Sequence, residues 1–271
     1  MIYEPNLHTD EKIDPETGLI LCRRCGTPRQ RRIALSDGFH TIYCHCKCQI
    51  RTYEQQEYER KQLVSLEQIA KYRSIGLPTP ELRTYTFDND RGFSPRTTDI
   101  SKRFVTHWPE FFKHGSGLLL WGDTGVGKTF FAGCIANALL DMGIPVLMSS
   151  ILRLLNELAD FSGRNAFIDS LNGFPLLIID DLGSERSSDY TQEQVFNLID
   201  SRYRSNLPLI ITTNLTLDQL TNPDSITKRR TYERVLERCT PVLIDSISVR
   251  EQQANANIAL ATRLLSPKDQ I

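Results

Sequence analysis

One stretch constrains this chain more than any other: Gly117-Leu-Leu-Leu-Trp-Gly122-Asp123-Thr124-Gly125-Val126-Gly127-Lys128-Thr129. Leu118 to Trp121 reads as a short buried strand, and the apolar spacing from Phe130 to Leu140 reads as a helix. Between them, Gly122 to Thr129 match G-x-x-x-x-G-K-[ST], the P-loop. Glycines let consecutive N–H groups turn toward one spot, and the helix N-terminus adds its dipole, which together suit a phosphate. Lys128 is placed to reach the β- and γ-phosphates and the Thr129 hydroxyl to hold Mg²⁺. A bare glycine turn is the bland alternative; the strand before and the helix after supply the context the motif requires. The expectation is a nucleotide-binding protein.

Downstream, the pattern alternates strands and helices. Pro145 to Ser149 reads as a buried strand and Ile151 to Phe161 as an amphipathic helix. Leu-Leu-Ile-Ile-Asp180-Asp181 has the unbroken apolar run of a parallel strand covered on both faces, ending in two acids where an open α/β sheet binds its ligand. Asp180 is the candidate to hold Mg²⁺ opposite Thr129. Asp181 falls on the other side of the strand line and is the candidate to polarise a water, with Glu185 a further acid nearby. A helix over Tyr190 to Tyr203 precedes a strand, Leu207 to Thr213, that ends at Asn214, a candidate for the γ-phosphate or the attacking water. Ile226 to Cys239 is a basic helix on which Arg230, Arg234 and Arg238 share one face. That face is either solvated or offers an arginine to a neighbouring subunit. A fifth strand, Pro241 to Ile244, and a last helix from Val249 and Arg250 to Leu265 complete the pattern.

Five of the seven cysteines lie between Cys22 and Cys48, whereas Cys134 and Cys239 sit in apolar surroundings as small core residues. Clustered cysteines in a reducing compartment point to metal, and zinc takes four sulfur or nitrogen ligands in a tetrahedron. Cys22 and Cys25 form one pair; Cys44 and Cys46 are chosen as the second, with Cys48 or His45 able to substitute. Residues 1 to about 20 read as a polar arm. Arg23, Arg24, Arg29, Arg31 and Arg32 offer a surface for nucleic acid or an acidic protein, or are simply solvated. From Gln49 to about Ser74 charges interleave with apolar residues as in an exposed helix, broken by Gly76-Leu-Pro78-Thr-Pro80. Thr84 to Asp88 reads as extended. The organisation expected is a zinc-binding module over residues 1–50, a charged helical linker over 51–76 and an α/β ATPase domain over 77–271. A formal net charge of −1 leaves no global attraction for nucleic acid, so any such contact must be local. No apolar run reaches the ~20 residues of a membrane span and no signal pattern opens the chain, so a cytoplasmic location is expected.

Over about residues 75 to 265 this succession resembles the AAA+ ATPase module, a P-loop NTPase with a five-stranded parallel sheet. Within that group it is similar to bacterial replicative helicase loaders of the DnaC/DnaI type and to the related IstB-type helpers of DNA transposition. Leu-Ile-Ile-Asp-Asp-Leu-Gly-Ser-Glu, Ile-Thr-Thr-Asn and Arg-Val-Leu-Glu-Arg-Cys-Thr-Pro-Val carry the likeness. The resemblance implies Walker A at Lys128 and Thr129, Walker B at Asp180, sensor 1 at Asn214 and sensor 2 at Arg250. It makes Arg238 the arginine finger, with Arg234 the alternative. Most such modules carry Asp-Glu where this chain has Asp180-Asp181, so slow hydrolysis is expected. The function implied is an ATP-binding loader that delivers a hexameric replicative helicase to single-stranded DNA, self-associating through its AAA+ module, with ATP, Mg²⁺ and Zn²⁺ as cofactors. The alternatives are an IstB-like transposition ATPase and a nucleotide-gated adaptor with negligible hydrolysis.

Overall fold

The computed structural model describes residues 8–36, 38–160, 163–186, 188–246 and 248–265; the side chains of residues 160, 249–253, 256, 264 and 265 are not described. The chain divides into two compact units, one ending at Glu67 and the other starting at Gln68.

Among its described residues the first unit buries little of its hydrocarbon, leaving Leu35, Phe39 and Ile42 exposed. Strands β1 (Glu11–Ile13) and β2 (Ile20–Cys22) pair antiparallel, as do β3 (Gln30–Leu35) and β4 (Gly38–Tyr43). Helix α1 (Lys47–Gly76) starts in this unit and ends in the second, which begins at Gln68. Ile20, Cys22 and Cys46 are the buried apolar residues described here, joined by the polar side chains of Glu11 and Arg29. The polar arm expected at the start is thus partly ordered: Glu11 is buried in β1, accepts from Arg29 at 2.9 Å and also accepts from the Tyr43 hydroxyl. Those two donors hold the Glu11 carboxyl down at about 2, the Tyr43 hydroxyl being the larger cause. Arg29 also pairs with Asp10, so it turns inward and leaves the exposed arginine group. Residues 1–7 lie outside the described part.

The second unit is a three-layer α/β domain. Its five strands are β5 (Gly117–Trp121), β6 (Val146–Ser150), β7 (Leu176–Leu182), β8 (Leu209–Thr213) and β9 (Cys239–Leu243), all parallel in the order β6-β7-β8-β5-β9. Alternation along each strand sends side chains to two cores. Leu118, Leu120, Ile178 and Ile210 meet α3 (Pro95–Thr106), α4 (Trp108–His114) and α5 (Lys128–Asp141) on one face. Leu119, Leu177, Ile179 and Ile211 meet α6 (Ile151–Asp160), α7 (Arg164–Leu171), α8 (Asp189–Arg204), α9 (Leu217–Thr221) and α10 (Ile226–Arg238) on the other. With both faces covered, the strands can be apolar at every position. The last described element is helix α11 (Val249–Leu265). Among the described residues no helix is long and apolar enough to cross a membrane.

Three departures from the sequence pattern have local causes. Pro109 does not interrupt a helix; it sits in the first turn of α4, where its missing N–H costs nothing. The segment read as extended holds a 3₁₀ turn, Phe87–Asn89, after a short helix, α2 (Pro80–Arg83). Helices α7 and α9 are too short to show a periodicity of their own.

Arg202 in α8 is buried, 1% exposed, and its guanidinium donates to the carbonyls of Phe174 (2.8 Å), Pro175 (2.7 Å) and Pro208 (2.7 and 3.1 Å). Burial pushes its pKa down to about 9, which leaves it cationic at neutral pH. Each stranded acceptor costs about 1–3 kcal/mol. Arg202→Leu is therefore expected to lower stability by roughly 3 kcal/mol or more, read as a shifted denaturant midpoint at unchanged slope. Arg202→Lys should recover only part of the loss, because one ammonium cannot span the same acceptors.

Candidate nucleotide site and cysteine centre

The site grows from the carboxyl end of β5. Gly122, Gly125 and Gly127 take φ of 145°, 89° and 96°, in the region that favours glycine. At Gly122 a Cβ would also stand 2.5 Å from the Ile244 carbonyl oxygen, so nothing larger fits. Gly127 caps α5, and Lys128 opens it with its side chain buried. The ammonium donates to the carbonyls of Gly122 (2.9 Å) and Asp123 (2.6 Å), which holds it against the loop.

Thr129 donates to Asp180 Oδ1 at 2.9 Å, and the Thr212 hydroxyl donates to the same oxygen at 2.6 Å. Burial raises the Asp180 pKa and the neighbouring Asp181 charge adds to it, while the two hydroxyls oppose the rise. An oxygen held this way beside the Thr129 hydroxyl suits a hard divalent cation such as Mg²⁺.

Strict alternation would aim Asp181 away from Asp180. Instead the β7–β8 register shifts between Ile179 and Leu182, and Asp181 adopts φ 59°. A bulge re-aims the side chain. Asp181 accordingly lines the same cleft as the P-loop and Asn214, a cleft of about 610 Å³. For a non-glycine residue the left-handed conformation costs about 1–2 kcal/mol. It is held by the Asp181 amide donating to Thr212 Oγ1 at 2.9 Å and by the Asp181 carbonyl accepting from the Ser184 hydroxyl at 2.7 Å.

The far wall of the cleft was not foreseen. Tyr85, Asn89, Asp90 and Phe93 form it together with Phe130. Asn137, buried in α5, fixes this segment by donating to the carbonyls of Leu82 (2.8 Å) and Tyr85 (2.9 Å). The legible signal was an asparagine on an otherwise apolar helix.

Other candidates lie elsewhere. Glu185 closes its own turn, accepting from the Gly183 amide at 2.8 Å, and is not among the cleft-lining residues. Arg234 pairs with Asp200 at 2.6 Å and stacks over Phe196. Arg238 donates to Asn206 Oδ1 at 2.6 Å and lies over Tyr203. It immediately precedes β9, whose first residue pairs with Gly117, so it stands at the end of the sheet opposite the P-loop. The Arg250 side chain falls outside the described residues.

In the first unit the sulfurs of Cys22, Cys25, Cys46 and Cys48 all lie within 4.8 Å of one another. The expected second pair is corrected: Cys48 stands in the group and Cys44 does not. Helix α1 starts at Lys47, which folds Cys48 back beside Cys46 at 3.2 Å, whereas Cys44 directs its thiol to the Pro28 carbonyl at 3.6 Å. His45 is exposed and also outside the group. Sulfurs around a tetrahedral zinc stand about 3.8 Å apart, so four converging thiols in a core-poor module fit this metal. Cys48→Ser is expected to reduce bound metal to well below one per chain, and Cys44→Ser to leave it unchanged, read by metal analysis and by Co²⁺ absorption.

Comparison with known proteins places these features. Residues 55–257 match the family described as IstB-like ATP binding protein. The replicative helicase loader DnaI of Bacillus subtilis (strain 168) is 27% identical over 144 residues, covering 48% of this chain and 46% of that protein. The replicative helicase loader DnaC of Escherichia coli (strain K12) is 25% identical over 134 residues, covering 48% and 52%. The chain thus spans about half the length of the curated relatives it matches. A crystal structure of DnaI superposes with a TM-score of 0.53 at 28% identity, over 63% of this chain and 93% of that one. The chain belongs to the IstB-like ATP binding protein family, with the AAA+ fold and a likeness to DnaI and DnaC.

Proposed function

We propose that this chain is an ATP-dependent loader that delivers a hexameric replicative helicase to single-stranded DNA. The support that carries this reading is the likeness to two replicative helicase loaders, at 27% and 25% identity. The four-cysteine module adds to it, because the resemblance to the DnaI branch implies an N-terminal zinc-binding module; with zinc bound, a closed four-sulfur site is structural and leaves no position for water. That module would grip the helicase, and the AAA+ module would bind ATP and single-stranded DNA.

At the nucleotide, the P-loop amides and Lys128 bind the phosphates. Thr129 and Asp180 would hold Mg²⁺, whose chemistry is to neutralise charge on the β- and γ-oxygens. Asp181 orients the attacking water and takes its proton, with Asn214 beside the γ-phosphate. A neighbouring subunit supplies an arginine, Arg238 or Arg234, to stabilise the transferring phosphoryl group. Arg250 is the sensor 2 residue of the same scheme. Asp181 is one methylene shorter than the usual glutamate, so turnover is slow.

Lys128→Ala should weaken ATP binding by roughly 10- to 100-fold, measured with a fluorescent analogue. Asp181→Asn should leave that affinity within about threefold and cut turnover by about 10²- to 10⁴-fold. The partner is tested by the native mass of the full chain mixed with a hexameric replicative helicase, with and without ATP. A complex that weakens when Cys22 and Cys25 are both changed to Ser supports the loader. Absence of a complex under every nucleotide condition, with one formed on a transposase instead, would move the assignment to transposition.

A further inference from the structure

Thr212 lies in the Ile-Thr-Thr-Asn run but was given no role from the sequence, and it touches both acids of the site. Its side chain is 0% exposed at the end of β8. The Asp181 amide can only donate, so the Thr212 oxygen accepts there, at 2.9 Å. The single hydroxyl proton is then left for Asp180 Oδ1, at 2.6 Å. One side chain therefore fixes the direction of both hydrogen bonds. It keeps Asp180 as an acceptor, and it secures the left-handed backbone by which Asp181 reaches the cleft. The neighbouring Thr213 contributes from the same strand, donating to the Leu182 carbonyl at 2.6 Å, so the bulge is clamped from β8 on both sides of its turn.

We infer that Thr212 is a positioning residue for hydrolysis, setting Asp180 and Asp181 at once through a single hydroxyl. The inference rests on the reading of this cleft as an ATPase site. Thr212 touches no substrate, and its effect passes through the two aspartates.

The test compares the full chain with Thr212→Val, Thr212→Ser and Thr212→Ala. Valine keeps the shape and removes the hydroxyl, serine keeps the hydroxyl, and alanine removes it without a branched replacement. Turnover, ATP affinity at saturating Mg²⁺, the Mg²⁺ half-saturation of nucleotide binding and the melting temperature are read for each. The expected result is a turnover about 10- to 100-fold lower in Thr212→Val and Thr212→Ala. Affinity at saturating Mg²⁺ should stay within about threefold, and Thr212→Ser should return to within about threefold of the parent. Parent-like turnover in Thr212→Val, or a Thr212→Ser variant as impaired as Thr212→Val, overturns the inference. An equal loss of affinity and turnover that follows the melting temperature reveals a merely structural residue and overturns it too.

Lys128→Ala supplies the separate control for the ATPase reading itself. If the parent does not exceed the turnover of that variant, hydrolysis fails as a reading, and Thr212 is judged on Mg²⁺ alone. A half-saturation at least about threefold higher in Thr212→Val, with Thr212→Ser unchanged, then supports its hold on Asp180. Equal half-saturation in all variants rejects it.

Discussion

A single carboxylate oxygen ties the working end of this molecule together. Asp180 Oδ1 receives the Thr129 hydroxyl from α5 and the Thr212 hydroxyl from β8, while Asp180 itself ends the regular part of β7. Three elements that share no sequence neighbourhood are thereby set relative to one another at the carboxyl edge of the sheet. Everything the P-loop requires depends on that edge being in register: the helix that presents Lys128, the strand that presents Asn214 and the bulge that presents Asp181. The buried, both-sides-covered sheet gives this arrangement its stiffness, because no strand can slide by one residue without exchanging its two cores.

Much of this was legible in the chain itself. The glycine spacing, the Lys128-Thr129 pair and the apolar run into Asp180 report on a site whose geometry is made by local backbone, so sequence suffices. Asn214 was legible for the same reason, as the polar tip of an apolar strand. The features that escaped are those decided by distant partners. Whether Asp181 faces the cleft depends on a bulge that only pairing with β8 defines. Cys44, Cys46 and Cys48 have equal spacing, and the choice among them depends on where α1 begins. The wall formed by Tyr85, Asp90 and Phe93 is placed by Asn137, more than a helix away in sequence. Arginine on a helix face is likewise ambiguous until its acceptors are known: Arg234 and Arg238 hold internal partners, and Arg29 is interior.

The two units solve the problem of stability in different ways. The AAA+ unit has two continuous hydrocarbon cores, and its buried Asn137, Arg202 and Thr212 are each hydrogen-bonded. Among its described residues the first unit has only a few buried apolar ones and relies on charge and sulfur: an interior Glu11–Arg29 pair and four converging thiols. A small module without a core of its own is expected to need such a staple. The same four sulfurs therefore bear first on whether the module holds together.

Arg202 carries a consequence of another kind. Its acceptors lie on the segment leading into β7 and on Pro208, just ahead of β8, while the guanidinium itself belongs to α8. If α8 lifted away, a cation would leave its cage and several carbonyls would be stranded; if either strand entry opened first, a charge would be left in hydrocarbon. Neither partial state is cheap. The strand that carries the two aspartates, the strand that carries Thr212 and the helix behind them are thus bound into one cooperative unit, whose amides should exchange with solvent together rather than in sequence.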